Sequence, residues 1–227
     1  MTRLHPQWIF LDFDGVIMDS MTLKLDAYCF AFKEYGFPRE KIREQQLMYA
    51  GLSRSRALPI MFEALAGKPM SGKEAQRALH LFGEEDDRLR EKMRFMPGSL
   101  DFLKRAHNLF PLVVVTGTPQ EAIEKTIAMF ELQPFFKEVC GSPPVKSEHL
   151  QSQLVKHGLK PEQALYVGDS IQDYKAANFA GMPFVGVDNG DHPFADLNLA
   201  VELRSLAELS DWVEWPQGLD SFQSEVE

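Results

Sequence analysis

The sequence predicts an α/β protein built on a doubly wound parallel β-sheet, with an all-helical segment inserted after the first strand. Short apolar runs alternate with stretches of helical periodicity, which is the pattern of successive βαβ units. The region that follows the first apolar run is different, because it has several amphipathic patterns and no convincing strand. With 227 residues, of which 44% are hydrophobic, the chain can bury one sizeable core and a smaller insert.

Four apolar runs predict the buried strands of this sheet. They cover residues 8–11, 111–116, 164–168 and 183–187. Helical patterns cover residues 119–130, 147–157 and 170–181, and residues 205–214 predict a closing helix. We expect the polar tail after Pro216 to fray.

The inserted segment covers residues 20–93. Tyr28, Ala31 and Phe32 recur at helical spacing within it, and the Gly/Pro-containing stretches 36–38 and 67–69 separate its helices. Pro97-Gly98 marks the return to the sheet. We therefore predict two domains, a core of residues 1–19 and 94–227 and a helical domain of residues 20–93 over the end of the first strand. The acidic run 84–87 predicts a solvated helix face.

Composition and charge exclude several classes of partner. The formal net charge of −9 argues against nucleic acid and anionic membranes as partners. No apolar run is long enough to span a bilayer, and the first residues do not resemble a secretory signal. Cys29 and Cys140 make no disulfide framework and no ligand cluster. These features predict a cytoplasmic protein, and they point to no protein partner.

Two aspartates follow the first strand with one residue between them. Side chains at positions i and i+2 of a strand point to the same face, so Asp12 and Asp14 would converge at its carboxyl end. Open α/β sheets bind their ligands at that end of the strands. Two close carboxylates need a proton or a cation to coexist, and a hard divalent ion such as Mg²⁺ binds oxygen ligands of this kind. A lone Asp-x-Asp triplet is weak evidence, because it also occurs in simple capped turns.

Further polar residues follow two other predicted strands. Thr116 and Gly117 end the second strand, and residues 118–121 match a capping box with Pro119 as the first helical residue. The Thr116 hydroxyl and this helix N-terminus could hold phosphate oxygens, while Thr118 would also cap the helix. Asp169 directly follows the strand 164–168 and is predicted to be a third metal ligand.

Lys146, Ser170 and Asp173 allow two interpretations each. Ser170 and Asp173 either cap the helix that begins after Asp169 or support the site. A lysine in the position of Lys146, just ahead of a helix, is normally solvated. Beside a cluster of aspartates and a phosphate it would instead stabilise negative charge.

The ordered set of these residues resembles the four motifs of the haloacid dehalogenase superfamily over nearly the whole chain. The matching stretches are Asp12-Phe13-Asp14-Gly15, Thr116-Gly117, Lys146, and Gly168-Asp169-Ser170 with Asp173. The insert resembles the helical cap of the phosphoglycolate phosphatase and sugar phosphomutase branch. Its stretch Gly51-Leu52-Ser53-Arg54 matches the cap loop whose arginine reaches the far end of the substrate. One departure is Ser147, because the family often has proline after the lysine.

The resemblance implies a Rossmann-like core and a Mg²⁺-dependent phosphatase that acts on a small phosphorylated metabolite. Asp12 would be the nucleophile that forms an aspartyl-phosphate, and Asp14 the general acid and then base. The ion would be held by the Asp12 carboxylate, the Asp14 main-chain carbonyl and Asp169. Lys146, Thr116 and backbone amides would stabilise the transferring phosphoryl group. The cap would close through hinges at residues 19–20 and 93–97.

The substrate contacts implied in the same way are Ser53, Arg54, Gly117 and Thr118. Ser170 and Asp173 would support the catalytic groups from behind. Arg54, Arg56 and Lys24 are candidates for contacting a second anionic group of the substrate. For Lys24 and Arg56, a surface charge without such a role is the simpler interpretation.

Other branches of the superfamily are separated by single residues. Dehalogenases lack the second aspartate and the metal, and phosphonate hydrolases generally have alanine in place of Asp14. Sugar phosphomutases commonly carry histidine at the position of Lys24 and Glu-Asp-Ser where this chain has Gly168-Asp169-Ser170. Arg54 is shared with the mutases, so a sugar phosphomutase stays the alternative. A non-catalytic phosphate-binding protein is a third hypothesis, although the residues whose loss would mark it are present.

Overall fold

The central sheet of the protein has six parallel strands. The computed structural model describes residues 3–197 and 199–215. With strands and helices numbered along the chain, the sheet contains β1 (Trp8–Leu11), β4 (Leu112–Pro119), β5 (Glu138–Ser142), β6 (Ala164–Gly168), β7 (Phe184–Val187) and β8 (Glu202–Leu203). Their order is β5-β4-β1-β6-β7-β8, with every neighbouring pair parallel. The first apolar run is therefore central and pairs with β4 and β6.

Helices cover both faces of this sheet. They are α5 (Ser99–Ala106), α6 (Gln120–Met129), α7 (Lys146–His157), α8 (Ile171–Ala180) and the short α9 (Leu209–Trp212). Ile9 and Leu11 of β1 belong to one buried apolar cluster, and Phe10 belongs to the cluster on the opposite face. This alternation is what a strand buried on both sides requires, and it explains why the run is apolar throughout.

The inserted segment contains four helices with a buried apolar cluster of their own. They are α1 (Met21–Ala31), α2 (Arg39–Met48), α3 (Arg54–Ala66) and α4 (Gly72–Leu89), followed by a 3₁₀ turn (Arg90–Lys92). The predicted breakers act as expected. Pro38 precedes α2, and Gly67 ends α3 in the left-handed conformation with φ 68°. Two short antiparallel strands, β2 (Met18–Asp19) and β3 (Arg94–Phe95), flank the segment and were not predicted.

The sequence predicts the central strands better than the edges of the sheet. The four predicted strands and the doubly wound class are confirmed, although β4 runs on through Pro119. The predicted closing helix 205–214 is wrong in length, because only a 3₁₀ turn (Leu206–Glu208) and the four-residue α9 form. The prediction for the tail after Pro216 lies outside the described residues. Among the described helices, none is both long and apolar enough to cross a bilayer.

Candidate active site

A small cavity lies where the carboxyl ends of β1, β4 and β6 meet the inserted helices. Its volume is about 60 Å³. Seven residues that the sequence singled out line it from the sheet side: Asp12, Asp14, Thr116, Gly117, Thr118, Lys146 and Asp169. The topology brings them together because β4 and β6 flank β1 in the sheet, so parallel strands end at one edge.

Lys146 joins two carboxylates at the base of this cavity. Its Nζ lies 2.8 Å from Asp12 Oδ2 and 2.6 Å from Asp173 Oδ1, and all three side chains are buried. Burial favours the neutral amine, but the charges of Asp12 and Asp173 outweigh it and raise the pKa of Lys146 above its usual value. Lys146 is therefore a buried cation, and the interpretation of a solvated lysine is wrong.

Asp173 has a supporting place in the same network. Its carboxylate also accepts hydrogen bonds from the Tyr166 hydroxyl at 2.5 Å and from the Ser170 hydroxyl at 2.5 Å. Ser170 and Asp173 form the predicted capping box at the start of α8. The two interpretations of these residues thus combine, because Asp173 caps the helix and holds Lys146. Tyr166, on the buried face of β6, is a part of the network that the sequence did not reveal.

The carboxylates at this edge fit a divalent cation. Asp12, Asp169 and Asp173 each offer an oxygen within 4.8 Å of the others. Burial and the charge of Asp173 raise the pKa of Asp12 to about 7, although Lys146 opposes the shift. Burial and the charge of Asp12 raise the pKa of Asp169 well above its usual value. One lysine does not balance three acidic groups, and oxygen ligands of this kind are those that Mg²⁺ prefers.

Asn189 orients one of these carboxylates. Its Nδ2 donates to Asp169 Oδ2 at 3.2 Å, and it lies in the loop that follows β7. The sequence offered a signal for it, because a polar residue just beyond a buried parallel strand lies at the ligand-binding edge of the sheet. A hydrogen bond to a ligating carboxylate fixes its direction toward a metal.

The Asp14 carboxylate points away from this cluster toward the inserted helices. Its Oδ1 accepts from the Ser20 hydroxyl at 2.5 Å, and its Oδ2 accepts from the Thr118 hydroxyl at 2.8 Å. Lys24 Nζ, on α1, lies 2.5 Å from Asp14 Oδ2. Burial opposes ionisation, but the charge of Lys24 and the three side-chain hydrogen bonds outweigh it and lower the pKa of Asp14. Asp12 and Asp14 therefore have opposite environments, because the pKa of the first is raised and that of the second is lowered.

The structure corrects the predicted cap of α6. The helix begins at Gln120 after Pro119, and no side chain caps its first turn. β4 instead runs through Pro119 with a register shift after Val115, which leaves Thr118 over the site, where its hydroxyl binds Asp14. The Thr116 hydroxyl is buried and accepts from the Thr118 backbone N–H at 3.2 Å. Thr116 keeps its own proton for a ligand in the cavity.

Gly15 allows Asp169 to approach β1. The φ of Gly15 is +80°, and a Cβ there would lie 1.8 Å from Asp169 Oδ2. We expect Gly15→Ala to push this carboxylate out of the cluster and to abolish metal-dependent turnover, because alanine meets both a steric clash and an unfavourable φ. Steady-state assays over a range of Mg²⁺ concentrations check this. Gly36→Ala is the matched control, since Gly36 also has a positive φ (+68°) but has open space around it. Equal activity of the two variants would contradict the prediction.

The loop before α3 contacts the sheet edge directly. A Cβ on Gly117 would lie 2.8 Å from the main-chain oxygen of Gly51, and a Cβ on Gly51 would lie 2.4 Å from Ser170 Oγ. Such close approaches exclude larger residues at both positions. The inserted segment therefore packs directly against the edge of the sheet that carries Asp12, over the cavity.

The remaining candidates divide between two cavities. Lys24 and Arg54 line the cavity that contains Asp12, whereas Ser53 and Arg56 line a neighbouring cavity of about 430 Å³. The interpretation of Lys24 as a surface charge is wrong, because it pairs with the buried Asp14. Arg54 Nη1 lies 3.5 Å from Asp86 Oδ2.

The acidic run of α4 is only half solvated. Glu84 and Asp87 are exposed, but Glu85 and Asp86 are buried, so the predicted solvated face is wrong at the two middle positions. Asp86 lines the cavity opposite the sheet edge. Burial raises the pKa of Asp86, although the charges of Lys24, Arg90 and Arg54 oppose the shift. The neighbouring Glu85 instead pairs with Arg88 on its own helix.

These features define a Rossmann-like α/β enzyme whose acidic groups lie at the carboxyl edge of a parallel sheet, under an inserted helical segment. The family model described as haloacid dehalogenase-like hydrolase matches residues 9–187. The chain belongs to this family.

Named relatives and solved structures agree with this assignment. The chain is 27% identical over 230 residues to a phosphoglycolate phosphatase of Vibrio vulnificus. That alignment covers 94% of this chain and 98% of the relative. It is 27% identical over 183 residues to a phosphorylated carbohydrates phosphatase of Thermotoga maritima. That alignment covers 77% of this chain and 81% of the relative. A solved structure described as a predicted phosphoglycolate phosphatase from Haemophilus somnus shares the fold, with a TM-score of 0.77, 23% identity, and coverage of 91% of this chain and 97% of that one.

Proposed function

We propose that the protein is a Mg²⁺-dependent phosphatase that hydrolyses the phosphate monoester of a small metabolite through a phosphoryl group carried on Asp12. The observation that carries the proposal is the meeting of Asp12, Lys146 and Asp169 at one edge of the sheet, with the Asp12 and Asp169 oxygens within 4.8 Å of each other. The curated relatives named above are phosphatases, which supports the same reaction class.

In the first step an Asp12 oxygen forms a bond to phosphorus while the bond from phosphorus to the ester oxygen breaks. The leaving oxygen takes a proton from Asp14 and departs as an alcohol. The Lys146 ammonium and the Thr116 hydroxyl stabilise the charge on the phosphoryl oxygens. Both groups are already held by neighbours, so they lose little freedom when the phosphoryl group binds.

In the second step water attacks phosphorus and the bond to Asp12 breaks. Asp14 takes the proton of that water, and inorganic phosphate leaves. The environment of Asp14 favours this half of the reaction, because the Lys24 ammonium and the Ser20 and Thr118 hydroxyls hold it as a carboxylate. The first half needs Asp14 to carry a proton, so we propose that Asp14 takes up this proton while the inserted helices are lifted and Lys24 is away from it, before the helices close over the substrate.

Asp12, Asp169 and the main-chain carbonyl of Asp14 would hold the Mg²⁺ ion, and Asn189 would orient Asp169. When bound, the ion supplies positive charge that offsets the buried carboxylates and the phosphoryl oxygens. Asp173 has its oxygens engaged by Lys146, Tyr166 and Ser170, so we assign it to holding Lys146.

We propose that residues 20–93 act as a cap domain over a core of residues 1–19 and 94–227. Support comes from the separate apolar cluster of the helices and from the close contact of Gly51 with Gly117. The paired strands β2 and β3 form the two connections, which is where hinges would bend. Closing would exclude bulk water from the phosphoryl group.

A sugar phosphomutase is the second candidate, and Gly168 argues against it. A Cβ on Gly168 would lie 2.3 Å from Asp173 Cβ. The glutamate that sugar phosphomutases commonly carry at this position would therefore displace Asp173, which holds Lys146. The position equivalent to the mutase histidine holds Lys24, which binds Asp14. Both observations favour transfer of the phosphoryl group to water.

The direct test is a panel of phosphate monoesters assayed with Mg²⁺ and with excess chelator. We expect release of inorganic phosphate that chelator abolishes and added Mg²⁺ restores. Hexose phosphates in the panel, followed by product analysis, separate hydrolysis from isomerisation. Isomerised product without phosphate release would favour the mutase, and chelator-resistant turnover would contradict the metal assignment.

The cytoplasmic location predicted from the sequence accords with the two unpaired cysteines, Cys29 and Cys140.

A further inference from the structure

The cavity wall opposite the sheet edge combines charged and aromatic side chains of the inserted helices. Its members are Lys24, Tyr28, Arg54, Phe82 and Asp86. The substrate's leaving group must lie against this wall, because the phosphoryl group occupies the side of Asp12 and Lys146. The wall therefore decides which alcohols fit, and this inference rests on the phosphatase function proposed above.

Asp86 and Arg54 contact each other but keep hydrogen-bonding capacity. Asp86 Oδ2 lies 3.5 Å from Arg54 Nη1 and 3.4 Å from Arg90 Nη2, both long contacts. Among the described residues no donor reaches Asp86 Oδ1, and the buried Arg54 Nε has no acceptor. Buried polar groups normally have partners, so the unpartnered Arg54 Nε, on a residue that lines the cavity together with Asp86, points to a ligand.

The charges on this wall are paired. Lys24 is held by Asp14, and Arg54 shares Asp86 with Arg90. A substrate with a negatively charged far end would bring that charge against Asp86 in a partly desolvated site, where like charges repel strongly. A hydroxyl group meets no such penalty, because it can donate to Asp86 and accept from Arg54.

The remaining wall residues suit a short carbon chain. The Tyr28 and Phe82 rings are in edge contact, with centroids 4.7 Å apart, and the Arg54 guanidinium lies 5.5 Å from the centre of the Phe82 ring. The cavity volume of about 60 Å³ corresponds to the space of a few water molecules, at roughly 10–15 Å³ for each. This small space favours a short leaving group while the loop at Gly51 contacts Gly117.

We propose that the substrate is the monophosphate of a small, uncharged polyol, whose free hydroxyl donates to Asp86 and accepts from Arg54. Phosphorylated carboxylic acids such as phosphoglycolate are disfavoured by the same carboxylate. Asp86 is therefore a specificity-determining residue of the inserted helices.

The test compares three small substrates whose leaving groups carry different chemistry at the far end: hydroxyl groups in glycerol 1-phosphate, a methyl group in ethyl phosphate and a carboxylate in phosphoglycolate. We expect the wild-type protein to have its highest kcat/KM for glycerol phosphate and its lowest for phosphoglycolate. Asp86→Asn should lower kcat/KM for glycerol phosphate about tenfold, since the hydrogen bond to a charged carboxylate becomes a weaker one to a neutral amide oxygen. The same variant should leave ethyl phosphate within about twofold and raise kcat/KM for phosphoglycolate, because no partner is lost for the first and the repulsion is removed for the second.

Asp87→Asn is the matched control, because Asp87 is the next residue of α4 and also pairs with Arg90, but it is exposed. It should leave the ranking of the three substrates unchanged. A ranking that Asp87→Asn alters as much as Asp86→Asn would overturn the inference, as would a wild-type preference for phosphoglycolate. The wild-type ranking decides the matter even if Asp86→Asn fails to fold. If the protein hydrolysed none of the phosphate monoesters tested, the phosphatase function itself would be refuted.

Discussion

Replacement of Asp12 by Asn is expected to abolish turnover of every phosphate monoester. The amide oxygen is a poor nucleophile, so the first step loses its attacking group and the rate should fall by roughly 10⁴-fold or more. Pre-steady-state assays with a chromogenic phosphate should show no burst of product. The side chain keeps its shape, so the Phe13 N–H that now donates to Asp12 Oδ1 at 2.8 Å still has an acceptor.

The stability of the same variant separates loss of chemistry from loss of fold. Asp12→Asn removes one of three clustered carboxylates and also one of the two partners of Lys146, which keeps Asp173, so the thermal unfolding midpoint of the metal-free protein should change little. Asp101→Asn, on the exposed face of α5, is a matched control that should change neither activity nor the midpoint. Near-normal turnover by a folded Asp12→Asn variant would rule out the proposed mechanism.

Replacement of Asp14 by Asn should give a loss of activity that depends on the leaving group. General acid catalysis contributes about 10²–10⁴-fold, and it matters most when the departing oxygen is strongly basic. We therefore expect kcat for an alkyl phosphate to fall by about this factor, and kcat for nitrophenyl phosphate to fall less in the first step. The measurement is kcat for both substrates in the wild type and the variant.

The second step of the reaction provides a check on this assignment. If Asp14 also activates water, Asp14→Asn should make breakdown of the phosphorylated protein slow, and phosphate on Asp12 should accumulate with the nitrophenyl ester. Mass spectrometry after a rapid acid quench detects it. Equal losses for both substrates without such accumulation would assign Asp14 to positioning alone. Lys24→Met is a useful companion, because it removes the ammonium from Asp14 Oδ2 but keeps the Ser20 and Thr118 hydrogen bonds.

The central strands could be predicted because their apolar runs depend on burial alone. β1 and β6 lie inside the sheet with helices on both faces, so their residues are continuously apolar and visible in the sequence. β5 and β8 are the edge strands of the sheet, where the requirement for apolar residues is weaker. Glu138 begins β5 and pairs with α7, since Lys156 Nζ lies 2.7 Å from Glu138 Oε2. A charged residue in the strand interrupts the apolar run by which a buried strand is identified in the sequence.

The groups at the sheet edge were predictable for a related reason. A carboxylate directly after an apolar strand is costly unless it has a function, so Asp12 and Asp169 stand out by position. Lys146 could be assigned only by its place in an ordered set of motifs. The inserted helices carry no comparable signal, because charged residues are ordinary on a helix surface. For that reason the sequence predicts a solvated Asp86 and a surface charge at Lys24, whereas both residues line the cavity.

The sequence by itself determined the parallel α/β sheet, the helical insert, and the residues that end its central strands, because strand burial and the cost of isolated carboxylates both leave local patterns. Only the tertiary structure decided which side chains share a cavity. The packing of the insert on the sheet edge pairs Lys24 with Asp14 and brings Asp86 to Arg54. Those contacts join residues far apart along the chain, and their electrostatic effect depends on distance and burial, which no local pattern records.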